Sequence, residues 1–351
     1  MKKLDLIVLF GGRSSEHEVS CRSAYAVLSN LDTEKYTVYP VGITKEGRWF
    51  WYTGSYSRIA DGTWVTNHGH LTPAMPDVAS RTGLFHFIRG ASLWTLPCDV
   101  VFPVLHGAEG EDGRIQGLLD LAEIPYVGCG CAASAVSMDK ALTKNIINGT
   151  DVPQVPCLIV TADEDPVSVA EQVEEKFTYP VFVKPASAGS SVGASKAGDR
   201  EDLYLALKTA AHEDRKILVE EFIRCREVEV AVMGNGDPVA TCPGEIAPGS
   251  DFYDYDTKYN SDTASYYIPA RLPETMLEQI RTYALTVYRA LGCRGLSRVD
   301  FFVRDDKEIF FNEINTLPGF TSISMYPKLW IAEGMTFPRI LDRLIELAQE
   351  K

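Results

Sequence analysis

Residues 297–320 read SRVDFFVRDDKEIFFNEINTLPGF, a pattern that predicts two apolar strands followed by a Pro-Gly turn. Asp300 lies on the first predicted strand. Glu313 and Asn315 lie on the second strand, and because they are two residues apart their side chains share one face of it. The aromatic residues around these polar positions indicate that both strands are buried, where a carboxylate needs a partner.

The predicted arrangement brings together two carboxylates and one amide, which are hard oxygen ligands. Mg²⁺ prefers a few carboxylates together with phosphate oxygens, so Asp300, Glu313 and Asn315 are candidate ligands of a magnesium–nucleotide complex. Solvated acids on an edge strand are the ordinary interpretation of such a pattern taken alone. Arg298 precedes Asp300 by two residues and faces the same side, where its guanidinium could neutralise a phosphate or a developing oxyanion.

The turn after the second strand is a candidate anion-binding element. Residues 315–321 read NTLPGFT, and the proline and glycine leave backbone N–H groups free to face an anion. A plain loop is the alternative, but the position directly after the predicted metal ligands favours an oxyanion-binding turn.

Composition restricts the class of protein. The 351 residues favour about two to three domains. The net charge of -14 argues against a nucleic-acid partner, and no segment is apolar enough to predict a membrane span. Eight cysteines without a CxxC pair favour reduced thiols, and the first residues resemble a strand rather than a secretory signal. These observations predict a cytoplasmic protein.

The first 131 residues are predicted to form an α/β domain. An apolar strand over 4–10, Gly11-Gly12 and a helix over 19–31 are typical of a parallel sheet, which further strands over 36–43 and 100–105 extend. A short strand is also predicted at Pro125-Tyr126-Val127. Residues 45–96 are irregular and predict an insertion with its own hairpin.

Two further domains are predicted over 132–226 and 227–351. Strands over 181–184 and 217–221 belong to the first of them. In the second, the polar and tyrosine-rich segment 249–269 interrupts the strands and is interpreted as a lid. A helix is predicted over 274–291, before the candidate metal ligands, and another over 335–347, after them.

A strand lysine followed by a small-residue loop predicts phosphate binding. Val183-Lys184-Pro185 leads to Ala188-Gly189-Ser190-Ser191-Val192-Gly193, although neither GxxxxGK[ST] nor an N-terminal GxGxxG is present. Lys184 and Lys140 would supply point charges. Glu220 to Phe222 and Glu227 are placed where an adenosine could be held, with Glu227 on the ribose hydroxyls.

Two N-terminal motifs leave alternatives open. Ser14 or Ser15 with an acid a few residues on resembles a helix capping box. His106-Gly107, with Glu111-Asp112-Gly113 beyond it, contains residues typical of a turn and residues typical of a functional site, so either interpretation is open.

Taken together, these segments closely resemble the D-alanine:D-alanine ligase family of the ATP-grasp superfamily, over nearly the whole chain. The motifs that carry the resemblance are Gly11-Gly12 with 15–20 (SEHEVS), Leu105-His106-Gly107 with 110–113 (GEDG), Met138-Asp139-Lys140, 183–185 (VKP) with 189–193 (GSSVG), 252–255 (FYDY) with Lys258-Tyr259, and Arg298-Val299-Asp300 with 312–319 (NEINTLPG). The resemblance implies an α/β protein of the ATP-grasp fold, in which an N-terminal parallel-sheet domain joins two α+β subdomains that sandwich ATP. It also implies D-alanyl-D-alanine formation for peptidoglycan synthesis.

The resemblance further implies roles for individual residues. Glu16 would hold the ammonium of the first D-alanine, which revises the capping interpretation, and Ser190 with Tyr259 would close the lid over it. His106 would lie beside the reacting carboxylate. Arg298 and the Gly319 N–H would form an oxyanion hole.

On the nucleotide side, the resemblance implies that Lys140 and Lys184 bind phosphates and that Lys258 reaches the γ-phosphate from the lid. Ser191 and Phe252 would complete the nucleotide contacts. Asp300, Glu313 and Asn315 would carry two magnesium ions, for which Mn²⁺ could substitute.

The second substrate is the least determined feature. Ser324 would contact its carboxylate, and Met325 and Lys258 would line the substrate site. Related ligases add D-serine or D-lactate, and residues 42–64 resemble the D-serine type, whereas Tyr259 and Met325 resemble the D-alanine type. The family also implies a homodimer through the N-terminal domain. Another ATP-grasp carboxylate–amine ligase and a regulatory protein without catalysis are the remaining alternatives.

Overall fold

The computed structural model describes residues 2–189, 192–247 and 265–350. A seven-stranded sheet, here called the N-terminal sheet, begins the fold. Its parallel part consists of β1 (Leu4–Gly11), β2 (Tyr36–Ile43) and β7 (Val100–Leu105), with β1 between the other two. Both faces of β1 and β7 are covered, which explains their continuous apolar sequences. The helix α1 (His17–Asn30) packs on one face.

The region predicted as an insertion continues the same sheet. β3 (Trp49–Tyr52), β4 (Leu71–Pro76), β5 (Leu84–Arg89) and β6 (Ser92–Pro97) follow β2 as antiparallel neighbours, in the order β6-β5-β4-β3-β2-β1-β7. The β5–β6 pair is the predicted hairpin. The N-terminal sheet is therefore mixed rather than parallel throughout, because hairpin turns reverse the chain after β2.

Short elements complete this part of the chain. The helix α2 (Ser57–Ala60) and two 3₁₀ turns (Thr63–Thr66, His68–His70) connect β3 to β4, and the helix α3 (Arg114–Leu121) follows β7. The strand predicted at 125–127 is reduced to a single bridge between Val101 and Tyr126. The other predicted strands of this sheet are confirmed.

The second sheet has four antiparallel strands in the order β10-β9-β11-β8. They are β8 (Cys157–Thr161), β9 (Val181–Pro185), β10 (Ser195–Ala197) and β11 (Lys216–Glu221). The helices α6 (Pro166–Lys176) and α7 (Arg200–Glu213) share an apolar core with this four-stranded sheet. The strand predictions over 181–184 and 217–221 are thereby confirmed.

The third sheet has six strands and carries the polar cluster of residues 297–315. Its strands are β12 (Arg226–Gly234), β13 (Val239–Ala240), β14 (Gly244–Ala247), β15 (Ser265–Tyr267), β16 (Gly295–Arg304) and β17 (Glu308–Asn315). Val228, Val230 and Val232 of β12 belong to one apolar core, and the alternate residues Ala231 and Met233 belong to another. Both faces of the six-stranded sheet are therefore packed.

Helices cover the two faces of the six-stranded sheet. The helix α8 (Glu274–Ala290) and residues of α4 (Cys131–Met138) and α5 (Lys140–Ile147) pack on one face. On the other face, α9 (Met325–Ala332) and α10 (Phe337–Gln349) share a core with the N-terminal sheet. Asp342 of α10 accepts hydrogen bonds from Lys35 Nζ at 2.6 Å and from the Tyr36 hydroxyl at 2.8 Å. The first and last parts of the chain thus form one packed unit.

Residues 249–264 of the predicted lid lie outside the described residues, and β15 follows directly after them. Within the described ranges, no helix has the length and apolar character needed to cross a membrane. The division of the chain into 1–131, 132–226 and 227–351 stays a proposal.

The tight contact between Gly42 and the segment before β4 generates a stability prediction. Trp64 is fully buried, and a methyl group on Gly42 would come within 2.4 Å of Trp64 Cη2 and 2.7 Å of Phe10 Cζ. We expect Gly42→Ala to lower the free energy of unfolding by about 1–3 kcal/mol, because the rings must move apart. Gly69→Ala is the matched control, since a methyl group there meets open space. Urea unfolding with equal midpoints for the two variants would contradict the packing.

Candidate active site

The polar cluster forms because β16 and β17 pair in a register that sets Asp300 opposite Glu313 and Arg298 opposite Asn315. The guanidinium of Arg298 donates two hydrogen bonds to Asp300, at 2.8 and 2.6 Å, and its Nε lies 2.9 Å from Glu229 Oε2. Asn315 Nδ2 donates to Asp300 Oδ2 at 3.0 Å. The predicted convergence of these side chains on one face is therefore observed.

The electrostatics of this cluster are dominated by Arg298. Burial disfavours its charge, but the surrounding carboxylates, Asp300 first and then Glu229, more than offset this and raise the pKa of Arg298 well above its usual value. The charge of Arg298 is permanent, so its guanidinium can exchange a carboxylate partner for a substrate oxyanion.

The side chains of this cluster suit a metal ion whose remaining coordination positions are filled by a nucleotide. In the part of the chain that the structure describes, no group of three or more His, Cys, Asp and Glu side chains could hold a metal ion. Asp300, Glu313 and Asn315 together offer two carboxylates and one amide, which leaves positions for phosphate oxygens or water. Such a donor set suits Mg²⁺, which rarely takes an all-protein cage.

Glu16 is enclosed between two glycines from different parts of the fold. Its residue is 7% exposed, and a methyl group on Gly107 or on Gly189 would approach Glu16 Oε2 to 2.7 or 2.8 Å, respectively. Gly107 follows β7, and Gly189 belongs to the small-residue loop after β9. A side chain at either position would displace the carboxylate, so both glycines let the loops close on it.

The capping-box interpretation of this N-terminal motif is wrong. Glu16 is the residue that precedes α1, and its side chain does not cap that helix. Ser14 Oγ instead donates to the carbonyl of His106 at 2.7 Å and accepts from the Glu16 N–H at 3.2 Å. The serine thus joins the ends of β1 and β7, which fixes Glu16 beside His106.

His106 is buried, and both of its ring nitrogens have protein partners. Nδ1 lies 3.1 Å from the carbonyl oxygen of Leu317, and Nε2 lies 3.2 Å from Ser23 Oγ. Burial lowers the pKa of His106, although Glu16 opposes that effect. The ring is therefore neutral at neutral pH and attaches the 315–321 turn to the N-terminal sheet.

Glu111 is a second acid at this edge of the sheet. Burial first, and then the neighbouring Glu16, raise the pKa of Glu111 to about 8. It accepts a hydrogen bond from the Gly107 N–H at 2.7 Å. The sequence allowed a role for Glu111 either in the turn or in the site, and this contact supports the role in the turn. The contact also orients Gly107, which lies against Glu16.

The turn after β17 is held by Ser324, the residue before α9. Ser324 Oγ accepts from the Thr321 N–H at 3.1 Å, and a methyl group on Gly319 would meet Ser324 Oγ at 2.7 Å. The hydroxyl therefore lies directly beside Gly319. This places the two predicted substrate contacts, Gly319 and Ser324, together.

Met325 is placed differently. Its side chain is 3% exposed and belongs to the apolar core, and a methyl group on Gly244 would come within 2.4 Å of Met325 Cε. The thioether end thus packs against β14. Its contribution to substrate selection stays a prediction.

The predicted phosphate lysines come from two elements. Lys140 begins α5, which Asp139 caps by accepting from the Ala141 and Leu142 N–H groups. Lys140 Nζ donates to the Ala188 carbonyl at 2.9 Å and lies 3.5 Å from Glu313 Oε2. The lysine therefore bridges the small-residue loop and the polar cluster on β16 and β17.

Lys184 belongs to a buried ion group around Glu220. The two oxygens of Glu220 lie 2.8 Å from Lys184 Nζ and 2.9 Å from Lys144 Nζ. Burial opposes the charge of Glu220, but the two lysines lower its pKa below the usual value. Glu220 Oε1, the oxygen nearest Lys144 Nζ, is buried.

Phe222 and Glu227 follow Glu220 along the chain, after β11 and within β12, respectively. Lys196 Nζ lies 4.2 Å from the ring centroid of Phe222, and Glu227 pairs with Phe302 and Ile246 in the six-stranded sheet. Ser190, Ser191, Phe252, Lys258 and Tyr259 lie outside the described residues.

Sequence reasoning missed Glu229 and Lys144. Glu229 shares a face of β12 with Glu227, and the alternation of acids and valines over 227–230 was a signal for it. Lys144 follows Lys140 by one helical turn, and this spacing was its only sequence signal.

The chain matches known proteins over its whole length. The model of the D-ala D-ala ligase N-terminus matches residues 5–129, and that of the D-ala D-ala ligase C-terminus matches residues 146–346. The D-alanine–D-alanine ligase of Acetivibrio thermocellus is 50% identical, covering 99% of this chain and 96% of the relative. That of Chlorobium limicola is 50% identical, covering 100% and 98%.

Solved structures agree. The VanG D-Ala:D-Ser ligase from Enterococcus faecalis has a TM-score of 0.90 at 38% identity, covering 99% of this chain and all of that one. The D-alanine-D-alanine ligase from Coxiella burnetii has a TM-score of 0.88 at 35% identity, covering 99% and 94%. The chain therefore belongs to the D-alanine–D-alanine ligase family, a family of ATP-dependent ligases with the ATP-grasp fold.

Proposed function

We propose that this protein joins two D-alanine molecules into D-alanyl-D-alanine, with conversion of ATP to ADP and phosphate, for peptidoglycan synthesis. The observation that carries the proposal is the meeting of three groups in one site. An enclosed carboxylate, Glu16, suits an ammonium. A partly buried cation, Arg298, suits an oxyanion, and the Asp300 cluster suits a metal–nucleotide complex.

The chemistry follows from the poor reactivity of a carboxylate toward amines, which requires a leaving group. A carboxylate oxygen of the first D-alanine attacks the γ-phosphorus of ATP, which gives D-alanyl phosphate and ADP. The amine of the second D-alanine, after losing a proton, attacks the carbonyl carbon. The tetrahedral oxyanion then collapses, so that the peptide bond forms and inorganic phosphate leaves.

Positioning and electrostatic stabilisation perform most of this reaction. Glu16 binds the ammonium of the first D-alanine and thereby orients its carboxylate toward the metal cluster. Arg298 and the Gly319 N–H stabilise the oxyanion. His106, whose nitrogens both have protein partners, acts by holding the turn rather than by taking a proton.

The nucleotide would lie between the four-stranded and six-stranded sheets. Lys140 and Lys184 bind its phosphates, and Glu220, whose two oxygens are contacted by Lys184 and Lys144, lies beside the adenosine. Glu227 holds the ribose, and Phe222, Phe252 and Ser191 complete the contacts. Asp300, Glu313 and Asn315 would hold two Mg²⁺ ions, which would neutralise phosphate charge, and Mn²⁺ could replace them.

The lid proposal covers 249–269, with Lys258 reaching the γ-phosphate and Tyr259 joining Ser190 and Glu16. Its reason is chemical, since water would hydrolyse an acyl phosphate in an open site. We further propose that the enzyme works in the cytoplasm, where ATP is available, and as a homodimer through the N-terminal domain.

The second amino acid is proposed to be D-alanine, bound at Ser324. The similarity to a D-Ala:D-Ser ligase structure makes D-serine the second candidate. Met325 follows Ser324 and carries a thioether rather than a charged or amide group, so it offers no strong polar partner to a D-serine hydroxyl, which favours D-alanine. A competition assay with equal D-alanine, D-serine and D-lactate, read by mass spectrometry, decides between them. A majority of mixed product would overturn the assignment of D-alanine and leave the ligase reaction standing.

Removal of one proposed metal ligand tests the metal cluster. We expect Asn315→Ala to raise the Mg²⁺ concentration for half-maximal turnover by at least about tenfold, because an oxygen donor is lost. The control is Asn148→Ala, whose amide pairs with Gln154 at the surface. The measurement is turnover against free Mg²⁺, and an unchanged Mg²⁺ requirement in Asn315→Ala would rule out this ligand.

A neutral replacement of Glu16 tests the ammonium site. We expect Glu16→Gln to raise the KM for the first D-alanine by about ten- to a hundredfold, because a charged hydrogen bond is lost, and to change the KM for ATP little. The control is Glu18→Gln, which removes an exposed carboxylate on the same helix that pairs with Lys45. Steady-state kinetics at varied D-alanine and ATP provide the comparison, and equal effects in both variants would contradict the role of Glu16.

A further inference from the structure

Ser23 lies on α1, and its buried hydroxyl contacts the 315–321 turn. It is fully buried, and its Oγ lies 3.2 Å from His106 Nε2. The same oxygen accepts a hydrogen bond from the backbone N–H of Phe320 at 3.2 Å. Ser23 thereby connects an N-terminal helix to the turn that follows the metal cluster.

The donors and acceptors in this group permit one consistent arrangement. The Leu317 carbonyl can only accept, so His106 Nδ1 carries the proton and donates to it. The Phe320 N–H can only donate, so Ser23 Oγ accepts from it and directs its own proton to His106 Nε2. The neutral ring thus relays one hydrogen-bonded chain from Ser23 to Leu317.

The two contacts bracket one peptide group of the turn. Pro318 has no N–H, so its peptide bond with Leu317 can be held only through the Leu317 carbonyl, which His106 engages. The peptide bond between Gly319 and Phe320 is held through the Phe320 N–H, which Ser23 engages. The peptide between them carries the Gly319 N–H.

We propose that Ser23 is a positioning residue for the ligase reaction: with His106 it fixes both peptides that flank the Gly319 N–H, and so aims that N–H at the oxyanion. The inference rests on the proposed function, because it assigns the orientation of a group that the reaction uses. Ser23 contacts no substrate in this scheme, and its effect is on the rate of the chemical steps rather than on ATP binding.

The same helix supplies a matched control. Ser20 is also fully buried and lies one turn earlier on α1. Its Oγ accepts from the Gly11 N–H at 2.8 Å and donates to the Val104 carbonyl, so both partners belong to the N-terminal sheet. Removal of either hydroxyl leaves buried groups unpaired, but only Ser23 reaches the turn.

The experiment compares wild type, Ser23→Ala and Ser20→Ala for kcat, KM and thermal midpoint. Formation of D-alanyl-D-alanine by the wild type tests the proposed function separately. We expect Ser23→Ala to lower kcat about ten- to a hundredfold with the KM for ATP unchanged, since a small misplacement costs that much. Ser20→Ala should keep kcat within about twofold despite a comparable fall in the thermal midpoint. Equal kcat losses in both variants, or an unchanged kcat in Ser23→Ala, would overturn the inference.

A double-mutant cycle tests the relay itself. Because Ser23 contacts both His106 and the Phe320 N–H, the kcat losses from Ser23→Ala and His106→Ala should combine in the double variant to clearly less than their product. The loss from Ser20→Ala should instead multiply with that of His106→Ala. Multiplication of the Ser23 and His106 losses would show independent roles and reject the relay.

Discussion

The arrangement of the site depends on the pairing of β16 with β17. Their register sets Asp300 opposite Glu313 and Arg298 opposite Asn315, so acids, amide and guanidinium share one face of a buried sheet. Acids buried this closely require cations, and Arg298 supplies one permanently. We infer that a metal–nucleotide complex supplies the other. Because β17 ends at this cluster, the turn that follows it emerges directly beside the proposed metal ligands.

The rest of the fold brings other groups to that position. Glu16 follows β1 and His106 follows β7; His106 contacts the turn through the Leu317 carbonyl, and the loop after β9 reaches Glu16 through Gly189. Lys140 contacts both this loop and Glu313. The contacts thus come from all three sheets, which suits a reaction whose two substrates and nucleotide must be aligned and kept from water.

The sequence predicted the features that depend on local spacing. The strands around Lys184 and Asp300 follow from apolar patterns, and the shared face of Glu313 and Asn315 follows from their two-residue separation. Features set by distant contacts were not predictable. The aromatic region 45–96 forms antiparallel strands because the sheet edge at β2 accepts them. Ser14 bonds to His106 instead of capping a helix, and Lys144 gains its role only by meeting Glu220.

The central claim is that this site phosphorylates one D-alanine carboxylate before the second amine attacks it. The most direct measurement uses D-alanine labelled with ¹⁸O in both carboxylate oxygens. It determines the ¹⁸O content of the inorganic phosphate that is released when ATP is consumed. The account predicts one ¹⁸O atom in the inorganic phosphate for each dipeptide formed, because the bridging oxygen of D-alanyl phosphate leaves with phosphorus. Dipeptide formation with unlabelled phosphate would contradict it.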